Sequence, residues 1–119
     1  MRIILIPIIA LVVSCNALHQ RPDVEEIKHL HGMDEPGLIT ELGSPSYTDI
    51  ITLQHGVFLP EFYIEIHNSY PLSDPETEGV EIKELRWDHS GFTDTVFMHK
   101  VDGKWTVLKS FRWKEGVVF

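Results

Sequence analysis

The chain has 119 residues, a net charge of −8 at neutral pH and a single cysteine, Cys15. One cysteine excludes an intramolecular disulfide, so the fold depends on packing, and the length suits a single domain. The excess of carboxylates would repel phosphate, which argues against nucleic acid as a partner. Residues 15–79 contain twelve acidic side chains against only Arg21 and Lys28, whereas residues 80–119 contain six acidic and seven basic ones. This uneven charge suits a protein partner, or is simply a solvated surface.

The N-terminus has the arrangement of a secretory signal. Arg2 precedes an apolar run over residues 3–13. That run is too short to cross a bilayer as a helix, which takes about 20 residues. Ser14 then stands directly before Cys15, with branched apolar residues ahead of it. The pattern resembles the lipobox of bacterial lipoprotein signals, and the resemblance implies that Cys15 carries a lipid and begins the mature chain.

A lipid on Cys15 would decide where the protein resides. Each buried methylene contributes about 0.8 kcal/mol, so one acyl chain binds a membrane only reversibly. The resemblance implies a diacylglyceryl group plus an amide-linked acyl chain such as palmitate, which would hold the protein permanently. The alternative is that Cys15 is a buried structural thiol, or that the apolar N-terminus is not cleaved. We predict a signal peptide at residues 1–14, a polar tether at 15–22 and one domain at 23–119.

The domain is predicted to begin with a short helix. Asp23 can cap a helix in which Val24, Ile27 and Leu30 lie on one face, and Gly32 is a suitable end.

A second helix is predicted directly after the first. It opens around residues 34–36, Gly43 can end it, and Pro45 prevents its continuation. Its apolar stripe consists of Leu38, Ile39 and Leu42.

From Tyr47 onward, apolar residues alternate with polar ones, which indicates strands. The predicted strands cover residues 49–54, 62–67, 80–89, 92–100 and 104–114. An exposed acidic loop is expected over residues 68–79. Ser90-Gly91 and Asp102-Gly103 are typical two-residue hairpin connections.

The strand patterns also predict which faces are covered. Residues 96–98 are all apolar, which is typical of a central strand covered on both sides. The apolar phase slips between Ile82 and Leu85, which predicts a bulge there. In the last strand, one face is predicted to hold Trp105, Val107, Phe111 and Trp113, and the other to hold Thr106, Ser110 and Arg112. The predicted fold class is α+β, with two short N-terminal helices packed on one face of an antiparallel β-meander sheet.

One short motif resembles a known family. It consists of Gly32, Met33, Leu38, Leu42, Gly43 and Pro45. A Gly-Met turn, a polar helix start and a Leu-Gly-x-Pro exit into the first strand resemble the helix hairpin of the small BamE/SmpA/OmlA-type envelope lipoproteins. The resemblance implies a domain that acts by binding rather than by catalysis. It further implies an accessory role in outer-membrane barrel assembly, with contacts to partner lipoproteins and anionic lipid.

Catalytic and metal-binding patterns are weak, so we expect no enzyme, no cofactor and no metal site. His29 and His31 lie two apart on a predicted helix and would face different ways, unlike an i, i+4 ligand pair. His89 and His99 could approach each other across a hairpin, or could simply be polar residues on a wet face. The predicted acidic loop lacks the glycine turn and terminal glutamate of a calcium loop, although it contains Asp74, Glu76 and Glu78.

The leading hypothesis is a lipid-anchored envelope protein that acts as a protein-binding accessory in outer-membrane assembly or maintenance. Asn16 follows the cysteine where an aspartate would resemble an inner-membrane retention signal, so the outer membrane is favoured. The candidate partner surface consists of Trp87, Trp105 and Trp113, with core packing as the other interpretation.

The alternative hypothesis is a ligand-binding or hydrolytic lipoprotein. Its site would be a cleft between helices and sheet, lined by His55, His67 or His89.

Overall fold

The computed structural model describes residues 24–57 and 65–114, so the predicted signal peptide, the tether and Cys15 lie outside the described residues. The strands are β1 Val24–Glu26, β2 Tyr47–Thr52, β3 Glu81–His89, β4 Phe92–Val101 and β5 Lys104–Lys114. The helices are α1 Glu35–Leu42 and α2 Ile66–Ser69, with 3-10 helices at Lys28–Leu30 and Pro75–Thr77.

The five strands form one antiparallel sheet in the order β1-β5-β4-β3-β2. Strands β2 to β5 are the predicted meander, and β1 pairs with the far side of β5. At the β4–β5 turn, Asp102 and Gly103 have φ angles of 51° and 78°. This is the left-handed backbone that a two-residue hairpin needs. The predicted α+β class with an antiparallel sheet is therefore confirmed.

The central strand β4 is covered on both faces, as its consecutive apolar residues predict. Val96, Phe97 and Met98 are all buried. Val96 and Met98 pack under α1 in a first core cluster completed by Leu30, Leu38, Leu85, Trp87 and Val107. Phe97 points to the opposite face, into a second core cluster with Leu53, Ile66, Ile82 and Leu108. The sheet is thus the middle layer between two apolar clusters.

Strand β5 contains a bulge where it passes between these two clusters. Met98 pairs with Val107, whereas the preceding residue Phe97 pairs with Lys109, so Leu108 is an extra residue. Val107 and Leu108 face opposite clusters as neighbours in a regular strand do, but the extra residue reverses the alternation beyond it, so Phe111 lies on the same face as Leu108.

The bulge corrects the predicted faces of β5. Trp105 packs against the first core cluster and Phe111 against the second, so these residues do not share a face. The bulge predicted between Ile82 and Leu85 was wrong, because β3 keeps a regular register with both neighbours. Leu85 belongs to the first core cluster and Ile82 to the second, on the opposite face of the sheet.

The first predicted helix does not form. Residues 24–26 are a strand, and residues 28–30 make a single 3-10 turn. Ile27 donates its N–H to the carbonyl of Ser110 (N···O 3.0 Å), and the hydroxyl of Ser110 donates to the carbonyl of Ile27 (2.8 Å). Pairing with β5 satisfies this backbone in place of helical hydrogen bonds, because an edge strand offers free partners.

The prediction for residues 62–67 also differs from the structure where the residues are described. Ile66 begins the short helix α2 instead of ending a strand, and it is buried in the second core cluster. The rest of that predicted strand, residues 62–64, lies outside the described residues. The predicted acidic loop after it is mostly exposed, but it buries Thr77 within its 3-10 turn.

Helix α1 begins and ends as its sequence predicts. The carboxylate of Asp34 accepts a hydrogen bond from the Gly37 N–H (3.0 Å), which caps the helix start. At the other end, the indole N–H of Trp87 donates to the carbonyl of Gly43 (2.9 Å). Asp34 also forms a backbone bridge with Thr106 of β5, and the buried Leu38 lies between the two ends, so the helix is held on the sheet at both ends and at its centre.

The end of α1 gives a test of backbone strain. Gly43 has φ 82° and ψ −168°, a region open essentially to glycine alone, and a Cβ there would meet no atom within 4 Å. Gly43→Ala should therefore lower the free energy of unfolding by about 1–3 kcal/mol through strain without a clash. Urea unfolding measures this, with Ser44→Ala at the next exposed position as the control. Equal stability of the two variants would contradict the prediction.

Candidate interaction surface at the sheet edge

Strand β2 forms one edge of the sheet, and its side chains are exposed along almost its whole length. Two of them are large and apolar or aromatic: Tyr47 is 39% exposed and Ile50 is 47% exposed. An edge strand with exposed apolar side chains can pair with an extended segment of another chain. The β2 edge is therefore the candidate interaction surface.

The register of β2 decides which backbone groups are available. Leu53, which follows the strand, donates its N–H to the carbonyl of Val80 beyond β3 (2.8 Å). Backbone groups in an antiparallel strand alternate between the two sides. Thr48, Ile50 and Thr52 therefore direct their N–H and C=O groups away from β3. These groups are the hydrogen-bonding positions of the edge.

One of these positions is covered by a side chain. The carboxylate of Asp49 accepts a hydrogen bond from the Ile50 N–H (2.9 Å), and the Tyr47 hydroxyl lies 3.4 Å from the same carboxylate. A charged side chain over an edge N–H is a known protection against unwanted strand pairing. Asp49 thus partly blocks the centre of the β2 edge.

The charge around this edge is negative. Asp49 pairs across the strands with Glu84, so two carboxylates lie on the same face. Partial burial raises the pKa of the Tyr47 hydroxyl, and the charges of Asp49 and Glu84 raise it further. Arg86 opposes this effect from above the Tyr47 ring, at 4.1 Å from its centroid. Glu84 is buried beside the exposed Asp49.

The surrounding sequence provides little positive charge of its own. Between Lys28 and Lys83 the chain contains ten Asp or Glu residues and no Lys or Arg. At the far end of β2, the backbone N–H of His55 donates to the carboxylate of Glu78, which brings the acidic loop beside the strand. On β3, Lys83 pairs with Ile50 across the strands but is ion-paired with Glu35 (2.6 Å), whereas Glu81 pairs with Thr52 near the end of β2.

At the other edge of the sheet, β5 is covered by β1 and by the residues that follow β1. After β1, the chain continues along β5: Gly32 donates its N–H to the Val107 carbonyl, and Val107 donates to the Met33 carbonyl (3.1 and 2.8 Å). His31 adds a contact from its Nδ1 to the carbonyl of Leu108 (3.1 Å). In the described part of the chain, that edge consequently presents only short pieces of strand.

The three tryptophans predicted as a partner surface do not form one. Trp87 is only 3% exposed and belongs to the first core cluster, so its assignment to the surface was wrong. Trp105 packs against the same cluster, with the ammonium groups of Lys83 and Lys100 at 5.3 and 5.1 Å from its ring centroid. Trp113 lies on β5 opposite Val24, near the far edge.

The six residues of the family-like motif have structural positions. Gly32 and Met33 pair with β5 through their backbones, and Leu38 and Gly43 hold α1 on the sheet as described above. Leu42 packs at the margin of the first core cluster, and Pro45 lies between α1 and β2. The predicted turn at Gly32 joins a 3-10 helix to α1 instead of joining two α-helices.

A buried carboxylate on β4, Asp94, forms an ion pair with the exposed Arg112 of β5. The guanidinium of Arg112 donates to both carboxylate oxygens of the fully buried Asp94, at 2.7 and 3.0 Å. These hydrogen bonds raise the pKa of Arg112 above its usual value. The His89 ring stacks on Phe92 with centroids 4.5 Å apart, and its Nε2 lies 3.8 Å from Asp94.

His99 is placed far from His89, so the two do not approach across the hairpin. His89 pairs with Phe92 at one end of β4, whereas His99 pairs with Thr106 at the other. The hydroxyl of Tyr70 lies 2.6 Å from His99 Nδ1. Burial lowers the pKa of His99, and the nearby charge of His31 lowers it further.

Two open grooves accompany the sheet. One of about 840 Å³ runs along residues 24–29 beside Arg112, and one of about 290 Å³ lies between residues 34–36 and the start of β5. Neither is lined by the histidines of the alternative hypothesis, namely His55, His67 and His89. Between α1 and the sheet, the first core cluster fills the space.

Residues 24–57 and 65–114 contain neither a grouping of metal ligands nor a helix suited to cross a membrane. There, no three His, Cys, Asp or Glu side chains are grouped so that they could hold a metal ion. In the acidic loop, Asp74 instead accepts a hydrogen bond from the Glu76 N–H (2.9 Å). Among the described helices, none combines the length and the apolar character needed to cross a membrane.

The Asp94–Arg112 pair predicts a marked loss of stability. Arg112→Ala should lower the free energy of unfolding by about 1–3 kcal/mol, because a buried carboxylate loses its partner. The double variant Asp94→Ala/Arg112→Ala should be less destabilised, because no buried charge remains. Urea unfolding of both, with the exposed Lys114→Ala as control, tests this. A double variant less stable than Arg112→Ala would contradict the explanation.

His99 predicts a pH dependence of stability. Its folded pKa lies below the ordinary value, so the unfolded chain takes up the proton first as the pH falls. The contribution of His99 is therefore complete above about pH 6.5 and is lost as the pH falls toward the lower folded pKa. His99→Gln should flatten the decline in stability between about pH 7.5 and about pH 5. An unchanged decline in His99→Gln would refute the assignment.

No family model, curated protein or solved structure matches this chain.

Proposed function

We propose that this chain is a lipid-anchored protein of the bacterial cell envelope that binds another protein through the β2 edge. Cys15 is the proposed lipid-attachment site, and the outer membrane is the proposed location. The protein partner would belong to outer-membrane assembly or maintenance, as the resemblance to BamE-type lipoproteins implies.

The exposed β2 edge is the observation that carries the binding role. It offers outward backbone groups at Thr48, Ile50 and Thr52, and two exposed large side chains, Tyr47 and Ile50. Strand addition needs these two elements, because main-chain hydrogen bonds supply affinity and alternate side chains supply specificity. The anchor is supported by the lipobox-like sequence before Cys15.

A binding role also agrees with the chemistry of the described residues. His89 lies by Asp94 and His55 at the end of β2, whereas His99 lies by Tyr70 and within range of the charge of His31. The buried Asp94 is already engaged by Arg112, so it is not positioned as a free base. These arrangements favour the binding hypothesis over a hydrolytic one.

Photocrosslinking tests the proposed edge directly. Replacing Ile50 with benzoyl-phenylalanine in the full chain, expressed in its own cell envelope, should yield a defined adduct with one protein. Thr48→Pro removes an outward N–H while leaving the β2–β3 pairing, as edge positions tolerate. The adduct should disappear in that variant, provided that its unfolding curve shows it is folded.

The matched control places the same photoreactive residue at Glu41, which is exposed on α1. An Ile50 adduct that survives Thr48→Pro, or an identical adduct from Glu41, would contradict binding at the edge.

The anchor has a separate test. Cys15→Ala should move the protein out of the membrane fraction, because no acyl chain can then be attached. Thermal unfolding of the domain should not change, since a lipid acts on location. Labelling with a palmitate analogue and mass spectrometry of the Cys15 peptide measure the modification. Retention of Cys15→Ala in carbonate-washed membranes would contradict the lipoprotein assignment.

A further inference from the structure

The β2 edge combines an open row of backbone groups with an acidic guard at its centre. Asp49 occupies the Ile50 N–H, while Thr48 and Thr52 on either side point their backbone groups outward. A strand that pairs fully with β2 must place a carbonyl at Ile50, where the Asp49 carboxylate now lies. The guard must therefore move before the strand can bind.

The cost of moving Asp49 depends on the incoming strand. An uncharged strand replaces the hydrogen bond from the Ile50 N–H to Asp49 by one to its own carbonyl. The displaced carboxylate is then hydrated only by water. A strand with a lysine or arginine beside that position offers the displaced carboxylate an ion pair, and charge-assisted contacts are stronger than neutral ones. The Asp49 carboxylate thus opposes the binding of neutral strands more than that of cationic ones.

The charges near Asp49 also favour a cationic strand over a neutral one. Its cross-strand neighbour Glu84 adds a second carboxylate on that face, and Arg86 is engaged over the Tyr47 ring. Lys83, which pairs with Ile50, is itself ion-paired with Glu35, and Glu81 and Glu78 lie at the far end of the strand. Opposite charge across an interface selects partners and speeds association, whereas like charge excludes them.

We propose that β2 accepts an extended, lysine- or arginine-bearing segment of a partner protein as a sixth strand, with Asp49 excluding uncharged strands. The inference rests on the proposed function, because it names the chemistry of the partner at the same edge. A second copy of this chain fits less well, because two acidic edges would meet.

The test uses three fluorescent peptides with the full-length Cys15→Ala protein, whose lack of a lipid keeps it in solution. The cationic peptide is Thr-Lys-Val-Lys-Val-Lys-Thr, and the neutral peptide has glutamine at each lysine position. The third is the cationic peptide with alternate backbone nitrogens methylated, which removes strand hydrogen bonds. Fluorescence anisotropy measures the dissociation constants.

The cationic peptide should bind about three- to fivefold more tightly than the neutral one, as expected for exposed ion pairs. The methylated peptide should not bind. Raising the salt concentration should reduce the preference, because exposed charges are screened.

Two variants of Asp49 separate the effect of its hydrogen bond to the Ile50 N–H from the effect of its negative charge. Asp49→Asn keeps an oxygen for the Ile50 N–H but loses the charge, so the preference for the cationic peptide should disappear. Asp49→Ala also frees the N–H, so the neutral peptide should bind more tightly than it does to the wild-type edge. Glu25→Gln, an exposed acid on β1, is the matched control and should preserve the preference.

Several results would overturn the inference. Equal binding of the cationic and neutral peptides would remove the charge selection, as would an unchanged preference in Asp49→Asn. Binding of the methylated peptide would show that no strand is added, and the absence of all peptide binding would reject a cationic strand as the occupant. The proposed function is judged separately by the Ile50 photocrosslink, so it can survive any of these outcomes.

Discussion

The architecture depends on the burial of both faces of the central strand β4. Three consecutive apolar residues, Val96 to Met98, cannot remain in water, so each face of the sheet needs its own cover. Helix α1 covers one face, and α2 with the end of β2 covers the other. The bulge at Leu108 reverses the alternation of faces in β5, so that both Leu108 and Phe111 pack against the second cluster. Asp94 is a buried charge on this strand, and it is accepted because Arg112 satisfies both carboxylate oxygens.

Local signals in the sequence predicted much of the fold. Asp-Gly at residues 102–103 marks a hairpin because the required backbone is left-handed at both positions. Helix α1 was predicted from a capping aspartate, a proline in the first turn and a glycine at the end, and each of these acts within one or two turns of the helix. The run of apolar residues in β4 was predicted correctly as a two-sided strand. In each case the residues that determine the structure lie within a few positions of the element that they determine.

The remaining features depend on partners that are distant in the sequence. The apolar spacing of Val24, Ile27 and Leu30 fits a helix, but Ile27 instead exchanges hydrogen bonds with Ser110, which lies 83 positions away. The face of each residue in β5 could not be derived from alternation, because the extra residue at Leu108 reverses the alternation beyond it. Trp87 was a candidate for the surface as well as for the core, because the sequence cannot show that its indole N–H has a carbonyl partner at Gly43, directly after α1. The β2 strand itself was expected, whereas its position at an edge follows from the strand order, which no local pattern specifies.

The unequal edges of the sheet have a consequence for stoichiometry. Beside β5, the chain offers β1, of three residues, followed by a 3-10 turn, whereas β2 offers six residues in regular register. A protein with two open edges can join head to tail without limit, and such contacts produce filaments. A sheet that can be extended on one side only ends the assembly after a single addition. Within the described residues, the short β1 edge therefore opposes head-to-tail polymerisation through both edges of the sheet.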